Sequence, residues 1–260
     1  MDKIEIQVLN PETVTESEKM MVCAARLTQR GHKIKNMDDF LSLYQKGYQT
    51  ETTKNLTALP HPTIQKFGVI NVVIVGASRR FLAQITRHQN EVKFMSASLQ
   101  YSDYSGEANF VVPYDIMEKG QGVIKRYLTS NELAMDAYEA AIREGVDNDA
   151  AGYMAPQGLR NTLIISATPY QWKHMISQRI CRRNTDETRY VMLRIWEQLD
   201  ILGPVIFQDA GTFCMKEKSE GYATCPEGKM GCGVPIRSNA KPTDILAKDF
   251  PYLCKQEVTI

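Results

Sequence analysis

The sequence contains few of the features on which several common protein classes depend. It has only two tryptophans and four histidines in 260 residues, and no basic segment precedes an apolar stretch at its start. Its 31 basic and 30 acidic residues give a net charge of +1, which argues against binding a nucleic acid polymer through bulk charge. The longest apolar run, residues 69–77, is interrupted by Asn71 and Gly76 and is shorter than the roughly 20 residues of a membrane helix. We therefore expect a cytoplasmic protein without a secretory signal or membrane partner.

Generic catalytic and metal-binding motifs are also absent. The chain has no GxGxxG, P-loop, HExxH or GxSxG motif. Cys214, Cys225 and Cys232 lie in a glycine-rich tail, but their spacing fits no common zinc pattern and no histidine is nearby. A metal site completed by a fourth ligand such as Cys254 is the weaker alternative. We predict reduced structural thiols and no metal site.

The apolar content of 43% and the length predict one large folded domain. Apolar patterning predicts strands over residues 3–8, 67–75, 109–112 and 163–167. Capping residues and apolar periodicity predict helices over residues 15–31, 38–48, 76–87, 129–145 and 170–183, with another beginning at 184–187. Residues 49–62 and 88–106 are predicted to be loops. Because these elements alternate without a regular βαβ rhythm, we expect an α+β (mixed α/β) fold with a helical C-terminal half.

The first candidate site follows the helix predicted over residues 76–87. Arg87 and His88 lie together at its end, and residues 96–102 add serine, glutamine and tyrosine side chains. A guanidinium group is planar and permanently charged and can donate two parallel hydrogen bonds, which suits a phosphate or a pyrimidine carbonyl. Hydroxyl and amide groups suit the edge of a heterocycle. The alternative is a surface loop whose Arg–His pair complements the helix dipole.

The second candidate site is the end of the helix predicted over residues 170–183. Arg179 and Arg183 are four residues apart and share a helix face, with His174 five residues before Arg179. Like charges on one face repel each other unless an anion or Glu187 lies between them. The pair is therefore a weak indication of a phosphate site, and the alternative is a basic helix C terminus that complements the dipole.

Read together, these segments resemble the flavin-dependent thymidylate synthases. Residues 153–156 resemble that family's R-Y-V-L-P block, residues 177–181 its S-L-R-x-C block, and residues 225–233 the Cys-Pro-rich ending of some members. Glu187 falls on the glutamate of its Q-W-E block. The resemblance runs from about residue 22 to 233, and the order and spacing of the segments carry it. The residues that match the run Q-x-x-R-H-R…S-x-R-Y are Gln84, Arg87, His88, Ser98, Tyr101 and Ser102.

Several family arginines are replaced in this chain. The second arginine of R-H-R is Gln89, the arginine of S-x-R-Y is Gln100, and the arginine before Y-V-L-P is Gly152. Replacing the guanidinium group of arginine by the amide of glutamine, or by glycine, removes the positive charge and the ability to bind a phosphate with two parallel hydrogen bonds. We therefore expect weaker phosphate binding or a different ligand.

The resemblance implies a central, mostly antiparallel sheet flanked by helices, in a single domain over residues 1–233 with a C-terminal extension over 234–260. It also implies reductive methylation of dUMP to dTMP, with methylenetetrahydrofolate and NADPH as co-substrates, FAD as cofactor, and a homotetramer that shares its sites between subunits. By resemblance, the catalytic residues are Arg87, Ser98 and Arg179. The residues expected to bind the nucleotide are Gln84, Arg87, Ser98, Gln100, Tyr101 and Arg179. The residues expected to line the flavin are Thr63, Arg87, His88, Gln89 and His174.

Three alternatives remain open from the sequence. The first is a related enzyme that hydroxymethylates or otherwise alkylates a pyrimidine nucleotide. The second is a non-catalytic flavin- or nucleotide-binding paralogue, which the lost cations motivate. The third is a structural role in which the arginine clusters form ion pairs between subunits.

Overall fold

The computed structural model describes residue 1 and residues 3–59, 62–216, 225 and 227–254. In this part of the chain, four strands form one sheet in the order β1-β2-β4-β3, and each neighbouring pair is antiparallel. The strands are β1 (Glu5–Val8), β2 (Ile70–Ser78), β3 (Val92–Ser96) and β4 (Arg160–Ala167). The expected mixed fold with an antiparallel sheet is confirmed.

The helices cover one face of this sheet. On the covered face Val72 and Ile74 of β2 are opposite Ile165 and Leu163 of β4, and all four are buried. The helices are α1 (Glu12–Arg30), α2 (Met37–Gln45), α3 (Thr50–Thr57), α4 (Arg79–Ile85), α5 (Tyr114–Glu118), α6 (Gln121–Arg143), α7 (Asn148–Ala151), α8 (Pro169–Arg179), α9 (Asp186–Leu202), α10 (Pro242–Asp249) and α11 (Pro251–Cys254). In the described residues, no helix has the length and hydropathy to cross a membrane.

The main core lies between the sheet and α9. Leu193 and Trp196 of α9 are buried, and Trp172 of α8 donates from Nε1 to the carbonyl of Ile70 at 3.1 Å. The C-terminal helices pack into this same core through Leu246 and Phe250. The segment after residue 233 is therefore tightly packed on the domain, and a domain boundary at that point stays a prediction.

Local capping explains where the helices of the site begin. Thr168 accepts a hydrogen bond from the backbone of Gln171, and Pro169 occupies the first turn, so α8 begins as the sequence predicts. Ser78 caps α4 by accepting from the backbone of Phe81. These caps fix both helices relative to the strands that precede them.

Two predicted loops contain regular structure, so those predictions are wrong in part. Residues 50–57 form α3 because Thr53 and Thr57 are buried against neighbouring elements, and the Thr53 hydroxyl donates to Glu18 at 2.9 Å. Residues 92–96 form β3, which pairs with β4 from Val92 to Ser96. In both places tertiary contacts outweigh a polar, weakly patterned sequence.

Other predicted boundaries also differ. Residues 109–112 form no strand, only one bridge between Phe110 and Leu159. The helix predicted from residue 129 begins at Gln121, directly after Gly120 with φ +86°. The helix predicted from residue 15 begins at Glu12, and the helix predicted to end at 183 ends at Arg179.

Candidate active site

The positioning of α4 depends on a buried carboxyl group. Glu187, in the first turn of α9, accepts hydrogen bonds from the Ser78 backbone N–H at 2.6 Å and from its hydroxyl at 2.5 Å. Burial raises the pKa of the Glu187 carboxyl, and the two Ser78 hydrogen bonds oppose that shift. Since Ser78 also caps α4, Glu187 fixes the helix that leads to Arg87 and His88.

Gln84, near the end of α4, uses its amide oxygen within the chain. The Oε1 atom accepts from the Thr185 hydroxyl at 3.1 Å and from the Thr188 hydroxyl at 2.5 Å. The Nε2 amide hydrogens make no hydrogen bond to any described residue, so they are free to donate to a ligand.

Arg179 joins the end of α8 to the end of α4. Its Nε donates to His88 Nε2 at 2.7 Å, and its NH2 donates to the Gln84 carbonyl at 2.8 Å. A longer contact of 3.4 Å links its NH1 to Asn184 Oδ1. Burial lowers the pKa of Arg179, and the nearby charge of Arg87 acts in the same direction. We call Gln84, Arg87, His88 and Arg179 the α4–α8 corner.

His88 is a neutral imidazole in this arrangement. Burial lowers its pKa to about 4, and the charges of Arg179 and then His174 act in the same direction. Because Nε2 accepts from a guanidinium, the ring proton of the neutral form is on Nδ1. His88 therefore offers one N–H donor to a ligand. Its ring also meets His174 edge to face, with centroids 5.7 Å apart.

A groove of about 250 Å³ runs along the α4–α8 corner. It brings together three of the predicted flavin residues from the end of α4 with His174 of α8. Its lining residues are Arg87, His88, Gln89, Asn90, Tyr170, Gln171 and His174.

A larger recess of about 420 Å³ shares Tyr170 and His174 with the groove. Lys173 is almost completely buried in its wall and forms an ion pair with Asp209 at 2.7 Å. Lys216 also lines the recess, and it makes no ion pair within the described part of the chain. Gln65 Oε1 is buried at this wall without a hydrogen-bond partner. The recess therefore combines an ion-paired lysine, a second lysine without a described ion pair, and an acceptor that needs a donor.

The remaining predicted residues lie elsewhere. Ser98, Gln100 and Tyr101 follow β3, whereas Arg87 and His88 precede it, so the five residues of β3, about 13 Å of extended strand, lie between the two groups along the chain. Tyr101 is 82% exposed, and the Ser98 hydroxyl accepts from the Gln100 backbone at 3.1 Å. We call residues 98–104 the 98–104 loop. Thr63 is exposed, in a short turn whose neighbours Pro62 and Gln65 line the recess.

Sequence reasoning missed the recess. Lys173 lies between apolar positions of a predicted helix, and the sequence gives no signal that its side chain is buried. Gln65 is buried because Pro62–Lys66 form a turn. This turn lies between the loop predicted over residues 49–62 and the strand predicted over residues 67–75, and the sequence gives no signal for it.

The cysteine-rich ending is only partly described. Residues 217–224 and 226 lie outside the described residues, including most of the stretch before Cys225. In the part that is described, no three histidine, cysteine, aspartate or glutamate side chains are close enough together to hold a metal ion.

Comparisons with known proteins agree with this architecture. A flavin-dependent thymidylate synthase of Geobacter sulfurreducens is 25% identical over 221 residues, covering 84% of this chain and 90% of that protein. One from Pyrococcus abyssi is 24% identical over 66% of this chain and 72% of that protein. The solved structure of the UMP/dUMP methylase PolB from Streptomyces cacaoi, bound with 5-Br dUMP, has a TM-score of 0.62 at 15% identity, over 79% of this chain and 93% of that one. Thymidylate Synthase X from Helicobacter pylori, with FAD and dUMP, has a TM-score of 0.58 at 14% identity, over 80% and 98%.

The family model described as thymidylate synthase complementing protein matches residues 11–205. The match includes β2, β3 and β4, the α4–α8 corner and the 98–104 loop, and it begins after β1. Because it spans most of the chain, this protein belongs to the Thy1 family of thymidylate synthase complementing proteins.

Proposed function

We propose that this protein is a flavin-dependent thymidylate synthase, which methylates dUMP to dTMP with methylenetetrahydrofolate and NADPH as co-substrates and FAD as cofactor. Membership of the family and the named activity of its relatives support the reaction. The α4–α8 corner supports the assignment of the site. One observation carries it: a half-buried arginine held in place by neutral groups.

Arg179 is preorganised for a negatively charged or carbonyl ligand. Its three partners are a ring nitrogen, a backbone carbonyl and an amide oxygen, none of which neutralises its charge. Of its five N–H donors, two remain without a described partner. A guanidinium fixed in this way can polarise a uracil carbonyl or bind the nucleotide phosphate without reorganising. Arg87, exposed beside it, adds a second positive charge.

The groove and the recess fit the chemical groups of FAD. Neutral His88 and His174 give the groove an aromatic wall, and His88 Nδ1 supplies a donor. Lys216 in the recess suits an anionic group such as a diphosphate, whereas Lys173 is already paired with Asp209. The unpartnered Gln65 Oε1 suits a hydroxyl or N–H donor. Bound FAD supplies the hydride transfer between NADPH and the reacting carbon. The protein's own contribution is then to orient the nucleotide and to exclude water around it.

The nucleotide site requires a second copy of the chain. In one chain the 98–104 loop is separated from the α4–α8 corner by the length of β3, yet both carry residues of the predicted nucleotide site. The uncovered face of the sheet presents apolar side chains that a partner subunit would cover, among them Val75, Met95 and Ile164. These features support a homotetramer in which one subunit's loop completes another's corner.

The direct test is the absorbance spectrum and turnover of the purified protein. We expect a yellow protein that oxidises NADPH only when dUMP and methylenetetrahydrofolate are both present. Mass spectrometry should detect a nucleotide heavier than dUMP by one CH₂ unit. A colourless protein that takes up neither FAD nor dUMP at saturating supply would contradict the proposal.

A changed nucleotide substrate is the second candidate. Gly152 occupies the position of a family arginine, and a Cβ atom placed there would lie 3.2 Å from the Leu99 side chain. An arginine at this position would therefore require the Leu99 side chain to shift by a few tenths of an ångström, so this position differs from the family in packing as well as in charge. Parallel assays with UMP and dUMP test it. Turnover of UMP only, or a product heavier by CH₂O, would favour this candidate over dTMP formation.

A further inference from the structure

Four cysteines from distant parts of the chain line one cavity of about 430 Å³. Cys181 follows the end of α8, Cys214 lies in a short turn after α9, and Cys225 and Cys232 lie on a glycine-rich loop. The only other cysteine whose side chain the structure describes is Cys23, which is buried in α1. Four of the five described thiols therefore share a single cavity.

Two of these thiols make polar contacts with the same short stretch of chain. Cys214 Sγ accepts from the Ile236 backbone N–H at 3.4 Å, and the Cys232 thiol donates to the Val234 carbonyl at 3.4 Å. Both sulfur atoms are therefore held near residues 234–236, which also line the cavity.

Three arginines line the cavity, Arg179, Arg182 and Arg183. Arg182 is paired with Asp249 and Arg183 with Glu227, whereas Arg179 has no carboxylate partner among the described residues. Arg182 donates to the Val234 carbonyl at 2.6 Å, which holds the loop end against α8. A divalent cation with four thiolates carries a net charge of −2, and nearby guanidinium groups stabilise it. Neutral disulfides would gain nothing from these arginines.

We propose that Cys181, Cys214, Cys225 and Cys232 together bind one zinc ion through their thiolates. Four cysteine ligands are a common set for structural zinc, which prefers tetrahedral sulfur coordination. The sequence does not show these four cysteines as a zinc motif, because Cys181 precedes Cys214 by 214 − 181 = 33 residues and belongs to a different segment. Cys254, the fourth ligand that the sequence suggested, is not needed.

Zinc binding requires the Cys225 and Cys232 thiols to move closer to those of Cys181 and Cys214. Zn–S bonds are about 2.3 Å long, and no three described side chains of metal-binding type are yet that close to one point. Cys214 is anchored by Ile236, and the Cys181 carbonyl accepts from the Asn184 backbone at 2.9 Å. The closing movement therefore belongs to the other two thiols.

Glycines allow this movement. Gly231 packs against Cys225, since a Cβ atom there would lie 3.1 Å from its Sγ. Gly233, directly after Cys232, has φ +73°, a conformation that glycine adopts without strain. Cys232 is exposed, so its thiol can turn inward without disturbing the core.

The site would hold the loop against the helix end that carries Arg179. Arg179 lines the same cavity, so zinc would stabilise the corner from its outer side. The proposal does not depend on thymidylate synthesis, because metal content is measured independently of turnover.

The test is the zinc content of the full chain, purified without a metal-affinity step. Mass spectrometry of the digested protein should find about one zinc per chain. Cys214→Ser and Cys232→Ser should each reduce this at least tenfold, whereas Cys23→Ser, the matched control, should retain it. Exchange of zinc for Co²⁺ in the unmodified chain should give the visible bands of tetrahedral thiolate coordination, which does not depend on any variant folding.

Three results would overturn the proposal. The first is an unmodified chain with less than a tenth of a zinc per chain after supply of zinc under reducing conditions. The second is equal zinc content in Cys232→Ser and Cys23→Ser. The third is intact-mass evidence that the four cysteines are paired as disulfides in the protein as purified.

Discussion

The α4–α8 corner and the 98–104 loop differ in how completely one chain determines them. In the corner, Arg179 donates hydrogen bonds to His88 and to the Gln84 carbonyl of α4. Glu187 fixes the start of α4 by accepting hydrogen bonds from Ser78. In the loop, Tyr101 is 82% exposed and Gln100 is exposed as well. One half of the proposed site is therefore built before any ligand binds, and the other half depends on a partner or a ligand.

This difference predicts different costs of substitution. A residue of the corner serves both folding and binding, so its loss should change both stability and turnover. A residue of the loop should affect binding alone. The contrast can be tested one side chain at a time.

Replacement of Arg179 should have the largest effect. Arg179→Ala should lower kcat/KM for dUMP by about 100- to 1000-fold, because a fixed cation at a developing charge contributes on the order of 3–4 kcal/mol. It should also reduce the free energy of unfolding by about 2 kcal/mol, since three hydrogen bonds are lost. Steady-state kinetics and urea denaturation measure the two effects.

The control for Arg179 is Arg143→Ala, on the exposed surface of α6. Its side chain is 72% exposed and lies 3.9 Å from Glu139. A pair of this kind contributes about 0–1 kcal/mol, so both turnover and stability should stay close to those of the unmodified chain. Equal turnover in the two variants would mean that Arg179 does not contribute to the active site.

Replacement of Glu187 should affect stability most directly. Glu187→Ala leaves the Ser78 N–H and hydroxyl buried without their acceptor and should cost about 3 kcal/mol in the free energy of unfolding. Glu132→Ala, on the exposed side of α6, should change it by less than about 0.5 kcal/mol. Similar denaturation midpoints for the two variants would mean that α4 is held by its packing alone.

The start of α8 was predictable from the sequence because Thr168 and Pro169 act through local backbone geometry. The start of α4 was predicted three residues too early, at residue 76, because Ser78 extends β2 and caps the helix that begins at Arg79. The pairing of His88 with Arg179 joins residues 91 positions apart, and only the fold reveals it. β3 was missed because its alternation is weak and its pairing with β4 supplies the stability.

The neutral state of His88 gives the corner a pH dependence. Its pKa is about 4 when folded and about 6.5 in the unfolded chain, so the unfolded chain binds more protons between these values. The free energy of unfolding should therefore rise with pH from 4 to 6.5. After allowance for solvent screening, the contribution of His88 is about 2 kcal/mol.

Urea denaturation at a series of pH values measures this slope. His88→Gln should flatten it, although His174, whose pKa burial also lowers, leaves part of the slope in place. His32→Gln is the control, because His32 is exposed in the turn after α1 and lines neither the groove nor the recess, and its slope should be steeper than that of His88→Gln. An unchanged slope in His88→Gln would mean that His88 is charged in the folded chain.

The smallest change in stability is expected in the loop. Tyr101→Ala should alter the free energy of unfolding by less than about 0.5 kcal/mol, because its ring is exposed. Tyr138→Phe should cost about 1 kcal/mol, since the Tyr138 hydroxyl accepts from the Tyr104 backbone at 3.0 Å and anchors the loop. If the loop forms the second half of the nucleotide site, Tyr101→Ala should still raise KM for dUMP about tenfold, the equivalent of about 1.4 kcal/mol. A KM that stays constant while Arg179→Ala abolishes turnover would place the whole nucleotide site in the corner.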